Sequence, residues 1–115
     1  MAITRYKTGP RMSQAVAHGD TVFTAGQVAD DLETDVAGQT AQILAKIDDL
    51  LAQAGTDKSK LVSATIWLTD MATFNEMNPV WDAWVAPGET PARACVEARL
   101  AAPGYKVEIA VIAGR

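Results

Sequence analysis

The sequence predicts an α/β domain in which one sheet carries two helices on a single face. Three observations carry that expectation. Apolar residues recur at helical spacing between residues 36 and 54, and a shorter helical pattern follows around residues 74 to 85. Segments of two-residue alternation lie before, between and after these helices. The resulting order is two strands, helix, strand, helix and two strands, which suits one sheet with its helices on one side.

Each element has a local reason. Residues 14 to 27 read as two short strands around the turn-type cluster His18-Gly19-Asp20, and the second is rich in β-branched residues. Val36, Ile43, Leu44, Ile47, Leu50 and Leu51 then fall on one helical face. Asp35 stands at the start of that helix and Gly55 just past its end, as helix punctuation requires. Leu61 to Thr69 alternates as a strand, with Val62, Ala64, Ile66 and Leu68 on one side and Ser63, Thr65, Trp67 and Thr69 on the other. The second helical pattern contains Pro79, which inside a helix would cost about 3 kcal/mol. The expectation is therefore a separate turn over Met71 to Glu76, with Asn78 as N-cap and Pro79 at the first helical position. Pro87-Gly88 ends that helix. Ala92 to Leu100 and Lys106 to Ala113 complete the sheet.

Composition bounds the function. The chain has 115 residues, 49% hydrophobic and 21% charged, which fits one globular domain spanning residues 1–115. Fourteen acidic against ten basic side chains give a net charge of −4. Without a Lys/Arg run, the footprint for DNA or RNA is missing, so no nucleic-acid partner is expected. One cysteine, Cys95, cannot form an internal disulfide, and His18 alone cannot build a Cys/His zinc site. No metal is expected. The N-terminus has no apolar signal-peptide core, and no stretch approaches the ~20 apolar residues of a membrane span. A cytoplasmic protein with no membrane partner is the expectation.

The second face of the sheet is mixed. Alternation groups Ala94, Val96, Ala98 and Leu100, assigned to the helix-covered side, and leaves Arg93, Cys95, Glu97 and Arg99 opposite. In the last strand Val107, Ile109, Val111 and Ala113 face the helices, with Lys106, Glu108, Ala110 and Ile112 opposite. This pattern fits either the solvated face of a half-buried sheet or a subunit interface holding a polar site.

Several ordered stretches carry a resemblance. Pro91-Ala92-Arg93-Ala94-Cys95-Val96-Glu97 and Lys106-Val107-Glu108-Ile109 resemble the C-terminal signature of the RidA family, reactive-intermediate/imine deaminases formerly called YjgF. Ser13-Gln14-Ala15-Val16, Phe23-Thr24-Ala25-Gly26-Gln27, Gln39-Thr40 and Met77-Asn78 match further landmarks in the same order. The likeness spans about residues 9 to 113. It implies a chorismate-mutase-like α/β (α+β) fold with a mixed sheet, assembled as a homotrimer with ligand sites between subunits. It also implies hydrolysis of 2-imino acids or enamines (2-aminoacrylate, 2-iminopropanoate or 2-iminobutanoate) to 2-oxo acids and ammonia, with no cofactor.

The resemblance distributes roles residue by residue. Arg93 would clamp the substrate carboxylate, since a guanidinium fork can donate two parallel hydrogen bonds. Glu108 would position and deprotonate water, then protonate the leaving amine. Cys95 would contribute its main chain rather than a thiolate, because no neighbouring base is evident. Gly26 would let the backbone approach the ligand, and Asn78 either braces the pocket or caps its helix. Two positions depart from the family pattern: Met12 stands where a pocket tyrosine is common, and Ala25 replaces a common serine.

Strand geometry adds one requirement. Arg93 and Glu108 lie near the starts of strands running in opposite directions, roughly 15 to 20 Å apart within one chain. Joint action on one small substrate therefore requires two subunits. Two other readings remain beside the deaminase: a non-catalytic trimer that binds 2-oxo acids, and a ribonuclease or translation inhibitor, which the acidic charge and lack of a histidine pair disfavour.

Overall fold

In the computed structural model, which describes residues 1–115, the chain forms a six-stranded sheet and two α-helices. The strands are β1 (Ile3–Thr8), β2 (Ser13–His18), β3 (Thr21–Thr24), β4 (Leu61–Leu68), β5 (Ala92–Glu97) and β6 (Val107–Gly114). The helices are α1 (Val36–Gln53) and α2 (Phe74–Trp84). Strand order is β1-β2-β3-β6-β4-β5. All neighbours are antiparallel except β4 and β5, which are parallel. The sheet is therefore mixed, and both helices pack on one face of it. No helix is long and apolar enough to cross a membrane.

β6 is the central ruler. Val107, Ile109, Val111 and Ala113 are buried while the intervening residues are half-buried, matching the expected alternation. Against its covered face α1 lays Ile43, Leu44, Ile47 and Leu51, all at most 2% exposed, and α2 adds Met77 and Trp81. Asp35 accepts a 2.8 Å hydrogen bond from the Gly38 amide, satisfying an otherwise unpaired donor of the first turn of α1. Gly55 takes φ of 81° directly after the helix, a conformation that favours glycine.

One buried polar side chain ties α1 to the sheet. Gln39 Nε2 donates to the Gly104 carbonyl at 2.9 Å, and its Oε1 accepts from the Lys106 amide at 3.0 Å. The residue is fully buried, and these bonds fix the loop that delivers β6.

Four features correct the sequence-based expectations. β1 forms an additional edge strand, paired with β2 from Ile3↔His18 to Thr8↔Ser13. Its side chains are almost all exposed, so hydrophobic periodicity does not reveal it. In β4 a bulge between Leu61 and Ser63 turns Val62 outward and leaves Leu61 buried in its place.

The third correction concerns α2, which is continuous through Pro79. A 3₁₀ turn, Met71–Thr73, leads into it, and Asp70 caps that turn by accepting from the Ala72 amide at 2.9 Å. Asn78 is consequently mid-helix and not an N-cap. The proline is exposed, as is Asn75, whose carbonyl loses its helical partner and can turn to water. Burial of Met77 and Trp81 on the opposite side offsets the proline's cost.

The fourth correction is the facing of β5, which ends at Glu97 instead of Leu100. Ala64, Ile66 and Leu68 point to the core, and their parallel partners are Arg93, Cys95 and Glu97. Arg93, Cys95 and Glu97 therefore share the helix-covered side, while Ala94 and Val96 face away. The charged residues are tolerated there because β5 is an edge strand. The polar ends of Arg93 and Glu97 reach α2 and the turn before it instead of entering the core.

Candidate active site

Gly26 and Glu108 form one half of the candidate site. β3 gives way at residue 25 to an extended segment that stays beside the sheet. The Ala25 amide donates to the Gln14 carbonyl at 2.8 Å, and Gln27 forms an isolated bridge with Ile109 of β6. The Gln27 side chain is buried and donates from Nε2 to Gln14 Oε1 at 2.9 Å and to the Ala25 carbonyl at 3.1 Å. These bonds press Gly26 against Glu108. A Cβ at position 26 would overlap Glu108 Oε2 and lie 2.7 Å from its Cδ. Glycine is needed here for space, because its own φ lies outside the left-handed region.

Glu108 stands opposite Trp67, on the sheet face that no helix covers. Partial burial pushes its carboxyl above the usual carboxylate range by penalising the charged form. Gly26 also lines a cleft of about 570 Å³ between the β1–β2 connection and α1. Met12, Gln14, Gln27 and Lys46 line the same cleft.

Arg93, Asn78 and Cys95 form a second cluster at the other edge of the sheet. Arg93 Nη1 donates to Asn78 Oδ1 at 2.9 Å. The guanidinium carbon lies 5.5 Å from the Trp81 ring centroid and 5.7 Å from that of Phe74. Asn78 thus accepts a hydrogen bond from Arg93 and does not cap its helix. No carboxylate pairs with Arg93; the two ion pairs in the chain are Lys7–Asp49 and Lys46–Asp30. Cys95 packs half-buried against the core, and burial raises its thiol pKa against a smaller opposing pull from Arg93. A raised thiol is a poor nucleophile at neutral pH.

The two clusters do not meet within one chain. Arg93 is level with Ala64, which pairs with Val111, three residues from Glu108 along β6 and two strands away. That separates their backbones by about 10 Å along the strands and about 10 Å across them. Their side chains also leave opposite faces of the sheet. The aromatic setting of Arg93 was hidden in the sequence, because only the packing of β5 beside α2 brings Phe74 and Trp81 to it. Their spacing of seven from each other, with Asn78 between, was the available signal.

Comparison with known proteins agrees with this architecture. The family model described as "Endoribonuclease L-PSP" matches residues 3–114. A RutC family protein of Haemophilus ducreyi is 46% identical over 111 residues, covering 96% of this chain and 95% of its own. The crystal structure of NMB1025 from Neisseria meningitidis, a member of the YjgF protein family, superposes with a TM-score of 0.97 at 51% identity. That match covers 100% of this chain and 96% of the other. A Yersinia pestis structure from the conserved Rid protein family superposes at 0.92 with 32% identity, over 99% and 100% of the two chains. With this fold, these matched lengths and the ordered landmarks in place, the chain belongs to the RidA (YjgF) family.

Proposed function

We propose that this protein hydrolyses reactive 2-imino acids and their enamine tautomers to 2-oxo acids and ammonia, at sites completed between subunits of a homotrimer. The observation that supports the reading is the presence, on one chain, of two half-sites of complementary chemistry. One is a partly buried carboxylate at Gly26, and the other a guanidinium without an acidic partner. Being too far apart in one chain, they serve one small substrate only when different subunits supply them. The sheet face bearing Glu108, Trp67 and the exposed Phe23 and Val96 is the natural interface for that assembly.

The chemistry needs no group beyond these residues and water. Arg93 holds the carboxylate of the 2-iminium acid. Glu108, ionised, takes a proton from water as the oxygen attacks the iminium carbon, giving a tetrahedral amino alcohol. The same carboxyl returns that proton to the amine, the C–N bond breaks with its electron pair leaving on ammonia, and loss of the hydroxyl proton completes the 2-oxo acid. A carboxyl of raised pKa suits both halves of this exchange.

A second reading keeps the Arg93 clamp but removes catalysis, leaving a trimer that binds 2-oxo acids. The "endoribonuclease" in the family description is less consistent with an acidic chain holding one histidine. The test generates an imine in situ with an amino-acid oxidase and follows ammonia or 2-oxo acid release against semicarbazide as a competing trap. Acceleration that is lost in Arg93→Ala and in Glu108→Gln supports the deaminase. No acceleration across small, branched and aromatic imines, with 2-oxo acid binding retained, supports the binding protein.

A further inference from the structure

We infer that Phe74 and Trp81, with Asn78, form a cradle that positions Arg93 for a carboxylate, making the two aromatic residues positioning residues for substrate binding. The inference rests on Arg93 being the carboxylate clamp. Three side chains of α2 at positions 74, 78 and 81 lie on one helical face and converge on the guanidinium. Both ring centroids lie within the ~6 Å reach of a cation–π contact.

The arrangement holds Arg93 without consuming its recognition capacity. A guanidinium has five N–H donors. The protein engages Nη1 through a neutral amide oxygen, leaving the other edges of the fork for a ligand. An aspartate at position 78 would instead pair with the fork and compete with the substrate. The rings attract the cation without accepting any of its conventional hydrogen bonds, which leaves the remaining donors free. They also order a long side chain on an exposed edge strand before the ligand arrives, lowering the entropy lost on binding. Trp81 is buried and so fixed by the core, whereas Phe74 is half-buried and more readily varied.

The test uses the assembled protein with 2-oxobutanoate as a non-reacting probe, titrated by calorimetry, alongside imine kinetics. Phe74→Leu, which keeps apolar bulk but no ring, is expected to weaken binding and raise KM about five- to tenfold while kcat changes less than twofold. Asn78→Asp is expected to do the same more strongly. Trp81→Phe, which retains a ring, is expected to stay within about twofold of wild type. Binding that is lost in Arg93→Ala but unchanged in both Phe74→Leu and Asn78→Asp would overturn the cradle and leave the deaminase reading standing. Binding unaffected by Arg93→Ala would overturn the clamp and the cradle together. A parallel fall in kcat and affinity in Phe74→Leu, unrelieved by Phe74→Tyr, would make the ring a packing element and also overturn the inference.

Discussion

Glu108 places its carboxylate where a side chain on Gly26 would have to be. The contact joins two segments that the Gln27–Ile109 bridge clamps together, so neither partner can retreat without breaking backbone hydrogen bonds. Only the end of the glutamate can give way.

It follows that Gly26→Ala displaces the Glu108 carboxylate and leaves the fold nearly intact. The expected outcome is a fall in kcat of at least about tenfold, as for removal of a positioned acid–base group, with only a few degrees lost in Tm. Steady-state kinetics and a thermal melt on the same preparation check this. A fully active alanine variant would show that the carboxylate position is irrelevant to turnover.

The raised pKa of Glu108 makes a paired prediction about pH. Catalysis needs the ionised form first, so the acid limb of kcat/KM falls at a pH above the ordinary value of 4.5. For stability the sign is opposite. The folded state holds this proton more tightly than the unfolded one, so the contribution is complete below the unfolded pKa and is lost as pH rises through the folded pKa. Glu108→Gln should therefore melt slightly higher than wild type at neutral pH, with the gap closing toward pH 4. The effect is small because the carboxylate keeps much of its solvent.

Cys95 is expected to be dispensable as a thiol. Cys95→Ala should keep kcat within about threefold while losing about 1 kcal/mol of stability to the vacated space beside the core. Alkylation by iodoacetamide at pH 7.5 should be slower than for free cysteine, since burial disfavours the thiolate. A hundredfold loss of kcat in the alanine variant would restore the nucleophile.

Gln39 tests the anchor of β6. Gln39→Ala leaves the Gly104 carbonyl and the Lys106 amide without their partner, and is expected to cost about 2–4 kcal/mol. Urea denaturation measures it directly. A cost below 1 kcal/mol would mean the loop re-forms these bonds elsewhere.

Local sequence determined those parts of the protein where burial and periodicity coincide. α1 was legible to within a residue because its apolar stripe, Asp35 cap and terminal glycine all agree. The faces of β6 were legible because apolar residues alternate without exception on its buried side. That Arg93 and Glu108 lie apart within one chain could likewise be expected from residue order, although the structure divides the distance into about 10 Å along the strands and about 10 Å across them.

Tertiary structure decided the rest. Alternation in β5 says that Arg93, Cys95 and Glu97 share a side, but polarity suggested the wrong one, because an edge strand lets an arginine lie over aromatic rings on the helix face. Pro79 marked a helix start by local energetics, yet the helix runs through it, since burying Met77 and Trp81 outweighs one hydrogen bond surrendered to water. Gly26 had no reason visible in its neighbours, for its reason is Glu108, brought from eighty-two positions along the chain. Local propensity is settled by energies near 1 kcal/mol per residue, and packing contacts of larger size overrule it wherever distant segments meet.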